Sequence, residues 1–185
     1  MLKLTVISGT NRPGSNTLKL SRYVERHLKT ELAAKAEVTL IDLQDLPKEI
    51  FEPSSYAQKP SNFQKFCDVI LQSDGIVTIL PEYNGGAPGI FKYFIDMLPF
   101  PASLQRKPAT FIGLGDGRFG ALRACEHMQQ IFEYRNAYIY PERVFIPFVT
   151  KELDENGAPK NEMTLKLLHS QLKGFAEFAS KLSAG

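Results

Sequence analysis

The apolar positions of this chain alternate between two spacings. Leu4-Thr5-Val6-Ile7 forms a short apolar run, and Leu20, Val24, Leu28 and Leu32 then recur every fourth residue. The first pattern predicts a strand over Leu2–Ser8 and the second a helix over Ser15–Lys35. The same alternation continues. Val38–Leu43 reads as a second strand, and 44–61, rich in Pro, Ser and charge, as irregular. Asn62–Ser73 reads as a helix with Phe63, Phe66, Cys67 and Ile70 on one face, opened by a capping box of Ser61 and Gln64. Gly75–Leu80 is the third strand, Gly89–Leu98 the third helix, and Ala109–Leu114 the fourth strand. Leu122, Cys125, Met128 and Phe132 mark a fourth helix, and a fifth strand falls within Ala137–Phe148. Residues 151–162 read as an exposed loop, and Met163–Leu182 as a final helix with Leu165, Leu168, Leu172, Phe175, Ala179 and Leu182 at three–four spacing.

Strands alternating with helices imply an α/β fold: a doubly wound, five-stranded parallel sheet. Strands one, three and four are almost continuously apolar, as strands covered on both faces must be. The 185 residues fit a single domain, 1–185, with no repeat and no linker composition. In such a sheet, ligands sit beyond the carboxyl ends of the strands.

Composition narrows the function classes. A formal net charge of +2 with dispersed Lys and Arg predicts no nucleic-acid surface. No apolar run approaches the ~18 residues of a membrane span, and a strand begins within two residues of Met1, so a cytoplasmic protein without membrane association is expected. Cys67 and Cys125 sit in apolar helical patterns as buried reduced thiols, and no Cys/His spacing suits a metal. His27, His127 and His169 all fall in helices without a nucleophile pattern, so no catalytic side chain is expected.

Three loops leave the carboxyl ends of strands with unusual composition. The first, Gly9-Thr-Asn-Arg-Pro-Gly14-Ser15-Asn16-Thr17, joins a strand to a helix start, where backbone N–H groups and the helix dipole favour an anion. Its Gly9-x4-Gly14 spacing matches a triphosphate loop, but Ser15 stands where that loop needs Lys, which leaves a phosphate monoester as the ligand class. Thr10, Ser15 and Thr17 hydroxyls, the Asn16 amide and the Arg12 charge complete the set; ordinary helix capping is the alternative reading. The second loop, Pro81-Glu-Tyr-Asn-Gly-Gly-Ala-Pro-Gly89, is shaped by Pro and Gly, and Tyr83 and Asn84 would suit a flat heteroaromatic ring. Glu82 reads either as an acid/base or as a solvated carboxylate. The third loop, Gly113-Leu-Gly-Asp-Gly-Arg-Phe-Gly120, contains a GxGxxG with Glu142 at a distance that suits a dinucleotide fingerprint; a turn admitting backbone close to a ring is the other reading. Arg118 there is either a 2′-phosphate ligand or a solvated loop arginine.

Taken together, Gly9-Thr-Asn-Arg-Pro-Gly-Ser-Asn and Pro81-Glu-Tyr-Asn-Gly-Gly-Ala-Pro-Gly, with Lys92 and Ile95-Asp96 following, resemble the NADPH-dependent FMN reductase family of the flavodoxin-like fold, which includes quinone, chromate and azo-dye reductases. The resemblance covers nearly the whole chain and implies a three-layer α/β/α domain. By it, Thr10, Arg12, Ser15, Asn16 and Thr17 hold the FMN phosphate; Pro81, Glu82, Tyr83, Asn84 and Gly85 line the isoalloxazine ring; Gly115, Asp116 and Gly117 meet its pyrimidine edge. Tyr93, Phe94 and Met97-Leu98 depart from the small or amide residues usual in the family at that place. The expected activity is hydride transfer from NADPH or NADH through bound FMN to a small acceptor (quinone, free flavin, chromate or an azo compound) in ping-pong fashion. A flavodoxin-like electron carrier and a non-flavin NAD(P) enzyme are the competing readings. Helix 89–98 is apolar on every face except Lys92 and Asp96, which predicts self-association through it as a homodimer or tetramer, with Phe100 adjoining.

Overall fold

The computed structural model describes residues 1–183. Strands β1 (Leu2–Ser8), β2 (Ala36–Asp42), β3 (Gly75–Pro81), β4 (Pro108–Leu114), β5 (Tyr138–Ile139) and β6 (Val144–Ile146) form one parallel sheet, ordered β2-β1-β3-β4-β5, with β6 also paired to β4. All seven residues of β3 and of β4 are buried, which is why their sequences carry no polar alternation. Chain order reverses direction between β1 and β3, so the loops after these strands diverge around one crevice.

Helices α1 (Asn16–Leu32), α2 (Gln64–Gln72), α3 (Gly89–Met97), α4 (Leu122–Tyr134), α5 (Val149–Glu152) and α6 (Glu162–Ser183) cover the sheet on both faces. The face under α2, α3 and α4 is rich in aromatic residues, with Phe63, Phe66, Phe91, Phe94, Phe111 and Phe132 in one cluster. The opposite face, under α1 and α6, is mainly aliphatic, with Leu20, Val24, Leu28, Leu168 and Leu172. The three-layer α/β/α flavodoxin-like architecture agrees with the sequence reading.

Several expectations are corrected. The Ser61–Gln64 capping box does not form: 61–63 is a 3-10 turn, α2 begins at Gln64 without a side-chain cap, and Gln64 Nε2 donates to Asp68 Oδ1 at 2.8 Å instead. The fifth strand divides in two around Pro141-Glu142-Arg143, so β5 pairs with the start of β4 and β6 with its end. Residues 151–162 are not a plain exposed loop: Leu153, Gly157 and Pro159 are buried, and the Asn156 carbonyl accepts from Arg26 Nη2 at 2.7 Å.

The 44–61 segment also has a structural task. Its short 3-10 turns lie over α3, where Tyr93 Oη donates to the Ile50 carbonyl at 2.6 Å and the Tyr93 ring lies 5.2 Å from Phe51 and 6.1 Å from Tyr56. This cover, together with the sheet, buries Phe91, Phe94, Ile95 and Met97 of α3 within the chain and leaves Ile90 and Tyr93 half-buried. Much of its apolar surface is thus covered within the chain, and Phe100 just beyond it is 71% exposed.

Candidate functional site

The first loop is tied to its neighbours by a close backbone approach. Gly9 N–H donates to the Ile79 carbonyl at 2.9 Å. A Cβ at Gly9 would lie 2.6 Å from that oxygen, so only glycine lets the chain leave β1 against β3. Ser15 then caps α1, its Oγ accepting from Leu18 N–H at 3.1 Å. Among the described residues, the N–H groups of Asn11, Gly14, Ser15, Asn16 and Thr17 make no hydrogen bond. Those of Asn16 and Thr17 open the helix, where no intrahelical acceptor exists. Thr10 and Thr17 are buried, Ser15 and Asn16 half-buried, and Arg12 exposed. Free N–H groups, a dipole end, hydroxyls and one guanidinium form a donor set suited to a phosphate.

The second loop is a tight hairpin. Tyr83 and Gly86 exchange backbone hydrogen bonds at 2.9 and 3.1 Å around Asn84 and Gly85, both with positive φ (52° and 77°). That geometry belongs to primed two-residue turns and explains the Asn-Gly pair. Pro81 is buried at the end of β3 opposite Leu114. Tyr83 is 36% exposed, and its hydroxyl lies 2.8 Å from Thr10 Oγ1, a bond that locks the first loop to the second. Glu82 is half-buried, with Oε1 3.6 Å from Arg123 Nη1. Its Oε2 is enclosed and has no partner. A buried carboxylate oxygen without a donor is costly, and a ligand N–H or O–H would relieve it.

The third loop stands on β6. Gly115 N–H donates to the Ile146 carbonyl at 3.1 Å, and Gly120 (φ 54°) approaches Ile146 so closely that a Cβ would lie 2.8 Å from its nitrogen. Asp116 accepts from Thr150 N–H at 3.0 Å and from Thr150 Oγ1 at 2.8 Å, which holds its carboxyl below the usual range. Gly117 has open space where a side chain would stand. Helix α4 begins after Ala121 with no side-chain cap, and Glu142 neighbours the Tyr140 hydroxyl. The GxGxxG is thus a packing turn: Gly120 fits against β6, while 115–117 stays open beside the hairpin.

All thirteen sequence-predicted positions lie at the carboxyl end of the sheet: ten in the three loops, Pro81 as the last residue of β3, and Asn16 and Thr17 as the first of α1. Direct bonds join Thr10 to Tyr83, while Asp116 is turned to Thr150. Sequence reasoning did not find Arg123, Thr150 or Ile146 as supports; their partners are distant in the chain, and only the strand order brings them together. Elsewhere, burial pushes the Cys125 thiol up to about 12 and raises that of Cys67, so neither is a ready nucleophile. Among the described residues, no group of three or more His, Cys, Asp or Glu side chains is placed to hold a metal, and no helix is long and apolar enough to cross a membrane.

Comparison with known proteins agrees with this fold. The family model described as NADPH-dependent FMN reductase matches residues 2–151. The chain is 27% identical over 189 residues to the NADH-dependent flavin reductase subunit 2 of Lactobacillus johnsonii, covering 97% of this chain and 98% of that one. It is 30% identical over 128 residues to the NADH:(hydroxy)cinnamate reductase subunit CrdA of Vibrio ruber; the match covers 69% of this chain but spans 60% of that relative's length. Among solved structures, FerB, a flavoenzyme NAD(P)H:(acceptor) oxidoreductase from Paracoccus denitrificans, superposes with a TM-score of 0.79 at 26% identity, covering 98% of each chain.

Proposed function

This chain belongs to the NADPH-dependent FMN reductase family, and from that premise we propose that it is an FMN-dependent NAD(P)H oxidoreductase acting on a small oxidised acceptor such as free flavin or a quinone. The observation that carries the reading is the convergence of uncommitted donors at the β1–α1 loop with an open hairpin and an open glycine turn beside it. Thr10, Arg12, Ser15, Asn16 and Thr17 bind the phosphate. Pro81, Glu82, Tyr83, Asn84 and Gly85 line one side of the ring, and Gly115, Asp116 and Gly117 meet its polar edge.

When bound, FMN supplies the hydride-accepting and hydride-donating chemistry. The protein's part is to bind, orient and exclude water. The Thr10–Tyr83 bond fixes the phosphate loop to the ring-side hairpin, so ring and phosphate positions are set together. Glu82, held by Arg123, offers its second oxygen to a donor. No side chain acts as acid or base in this scheme, and both substrates use one face in turn.

The test is direct. Purified protein titrated with FMN should bind about one equivalent and quench its fluorescence. NADPH or NADH consumption should depend on added acceptor, with parallel lines in double-reciprocal plots. Binding without NAD(P)H turnover would make the protein an electron carrier instead; intersecting lines would remove the ping-pong step; protein that takes up no FMN would overturn the reading.

A further inference from the structure

The segment that carries β6 into α5 contains an uncommon backbone. Phe148 sits at φ 51° and ψ 38°, in the left-handed region. A Cβ crowds the following carbonyl there, so glycine and asparagine take such positions readily and a bulky ring rarely does. Burial does not compensate. Phe148 is 56% exposed, belongs to neither core cluster, and stacks with no aromatic ring or cation among the described residues. Backbone strain and a wet phenyl ring coincide at one residue, and no packing within the chain offsets either.

Its surroundings impose this conformation from both sides. Before it, Gly120 lies so close to Pro147 that a Cβ would stand 2.9 Å from the proline nitrogen. After it, Val149 N–H donates to the Gly115 carbonyl at 3.2 Å. Thr150 donates to the Asp116 carboxylate from its N–H at 3.0 Å and from its hydroxyl at 2.8 Å. These anchors all belong to the third loop, so Phe148 adjoins the open Gly115–Gly117 stretch. Strain that the surroundings over-determine, set beside a candidate ligand site, is characteristic of a ligand clamp. The other exposed phenyl ring of this loop, Phe119, already carries the guanidiniums of Arg118 and Arg123 at 4.7 and 5.1 Å from its centroid. Phe148 is the aromatic ring here without such a partner.

We propose that Phe148 is the stacking platform for the electron acceptor, and that it selects flat aromatic acceptors over small inorganic oxidants. The inference rests on the flavin-site reading above and names the acceptor class of that site. A phenyl face binds another ring system by dispersion and apolar burial, without directional hydrogen bonds, so it accepts flat ring systems broadly. A compact hydrated anion gains no such burial. The fixed backbone sets where the ring is attached before any acceptor arrives, which lowers the ordering cost of binding.

The experiment uses FMN-loaded protein, with loading checked by flavin absorbance in every variant. Anthraquinone-2-sulfonate is titrated into the oxidised form by calorimetry, which reads binding without turnover. Phe148→Ala should weaken it on the order of tenfold, the effect of one lost stacking contact, and Phe148→Tyr should retain it. In turnover, Phe148→Ala should lower the ratio of kcat/KM for this quinone to that for ferricyanide on the order of tenfold. Phe148→Gly should lose quinone affinity to the same extent while its denaturant midpoint stays level or rises, because glycine releases the strain and little burial is lost. No quinone binding by wild type, unchanged affinity in Phe148→Ala, an equal loss with both acceptors, or a lowered midpoint in Phe148→Gly overturns the proposal and leaves the flavin reading standing. Wild type that takes up no FMN overturns the flavin reading and this inference with it.

Discussion

The two ends of the sheet could each be taken for the working end. At the amino ends of β1 and β2, a cavity of about 720 Å³ opens between α1 and α6, lined by Leu28, Leu32 and Leu172 with His27 and His169 on its rim. These imidazoles stack 3.9 Å apart, and Tyr23 Oη lies 2.7 Å from His169 Nε2. At the carboxyl ends, the three loops leave N–H groups without acceptors and one carboxylate oxygen without a donor. The cavity at the amino end is roomy, with His169 already bonded to Tyr23; the loops at the carboxyl end keep donors and a carboxylate oxygen unpaired. Binding follows the missing partners, because an unpaired buried polar group gains most when a ligand arrives.

Substitutions at each end should separate these roles. The largest effect is expected for Gly9→Ala, whose Cβ meets the Ile79 carbonyl and Leu80. It should cost about 2 kcal/mol in denaturant unfolding, as overpacking does, and weaken FMN binding as well. Lys107→Met probes the amino end. Lys107 Nζ donates to the carbonyls of Ile70, Leu71 and Ser73 at the end of α2, and burial lowers its pKa to about 8. Leaving those carbonyls unpaired should cost roughly 2 kcal/mol without changing FMN affinity. Tyr83→Phe removes the bond to Thr10 and should weaken FMN about fivefold by fluorescence titration, with little change in stability.

The smallest effect concerns pH. Burial, then the neighbouring His169, lowers the pKa of His27 below its ordinary 6.5. The unfolded chain therefore binds the proton first, and stability should be lost as pH falls below 6.5 through the lowered value. His27→Gln should reduce this acid loss by roughly a few tenths of a kcal/mol, since the pair is half-exposed, and leave FMN titration unchanged. A change in FMN affinity in that variant would break the contrast between the ends.

How far the sequence spoke follows the same physics. The continuous apolar runs of β3 and β4 and the four-residue spacing of α1 revealed the layers directly. Local shape was legible where spacing dictates it, as with the helix start at Ser15 and the Pro/Gly-shaped loop 81–89. What was hidden is non-local. Tyr83 meets Thr10, and Arg123 meets Glu82, only because β1, β3 and β4 are adjacent in the sheet. The cover over α3 is likewise non-local, because nothing local in 44–61 reveals that Ile50, Phe51 and Tyr56 fold back over it.

The central claim is that FMN spans the three loops at the carboxyl end. A crystal structure of the FMN-loaded protein tests it most directly. The account predicts the phosphate against the N–H groups of residues 14–17, the ring between 81–85 and 115–117, and a donor on Glu82 Oε2. Flavin in the cavity between α1 and α6, or a phosphate away from the β1–α1 loop, would contradict it.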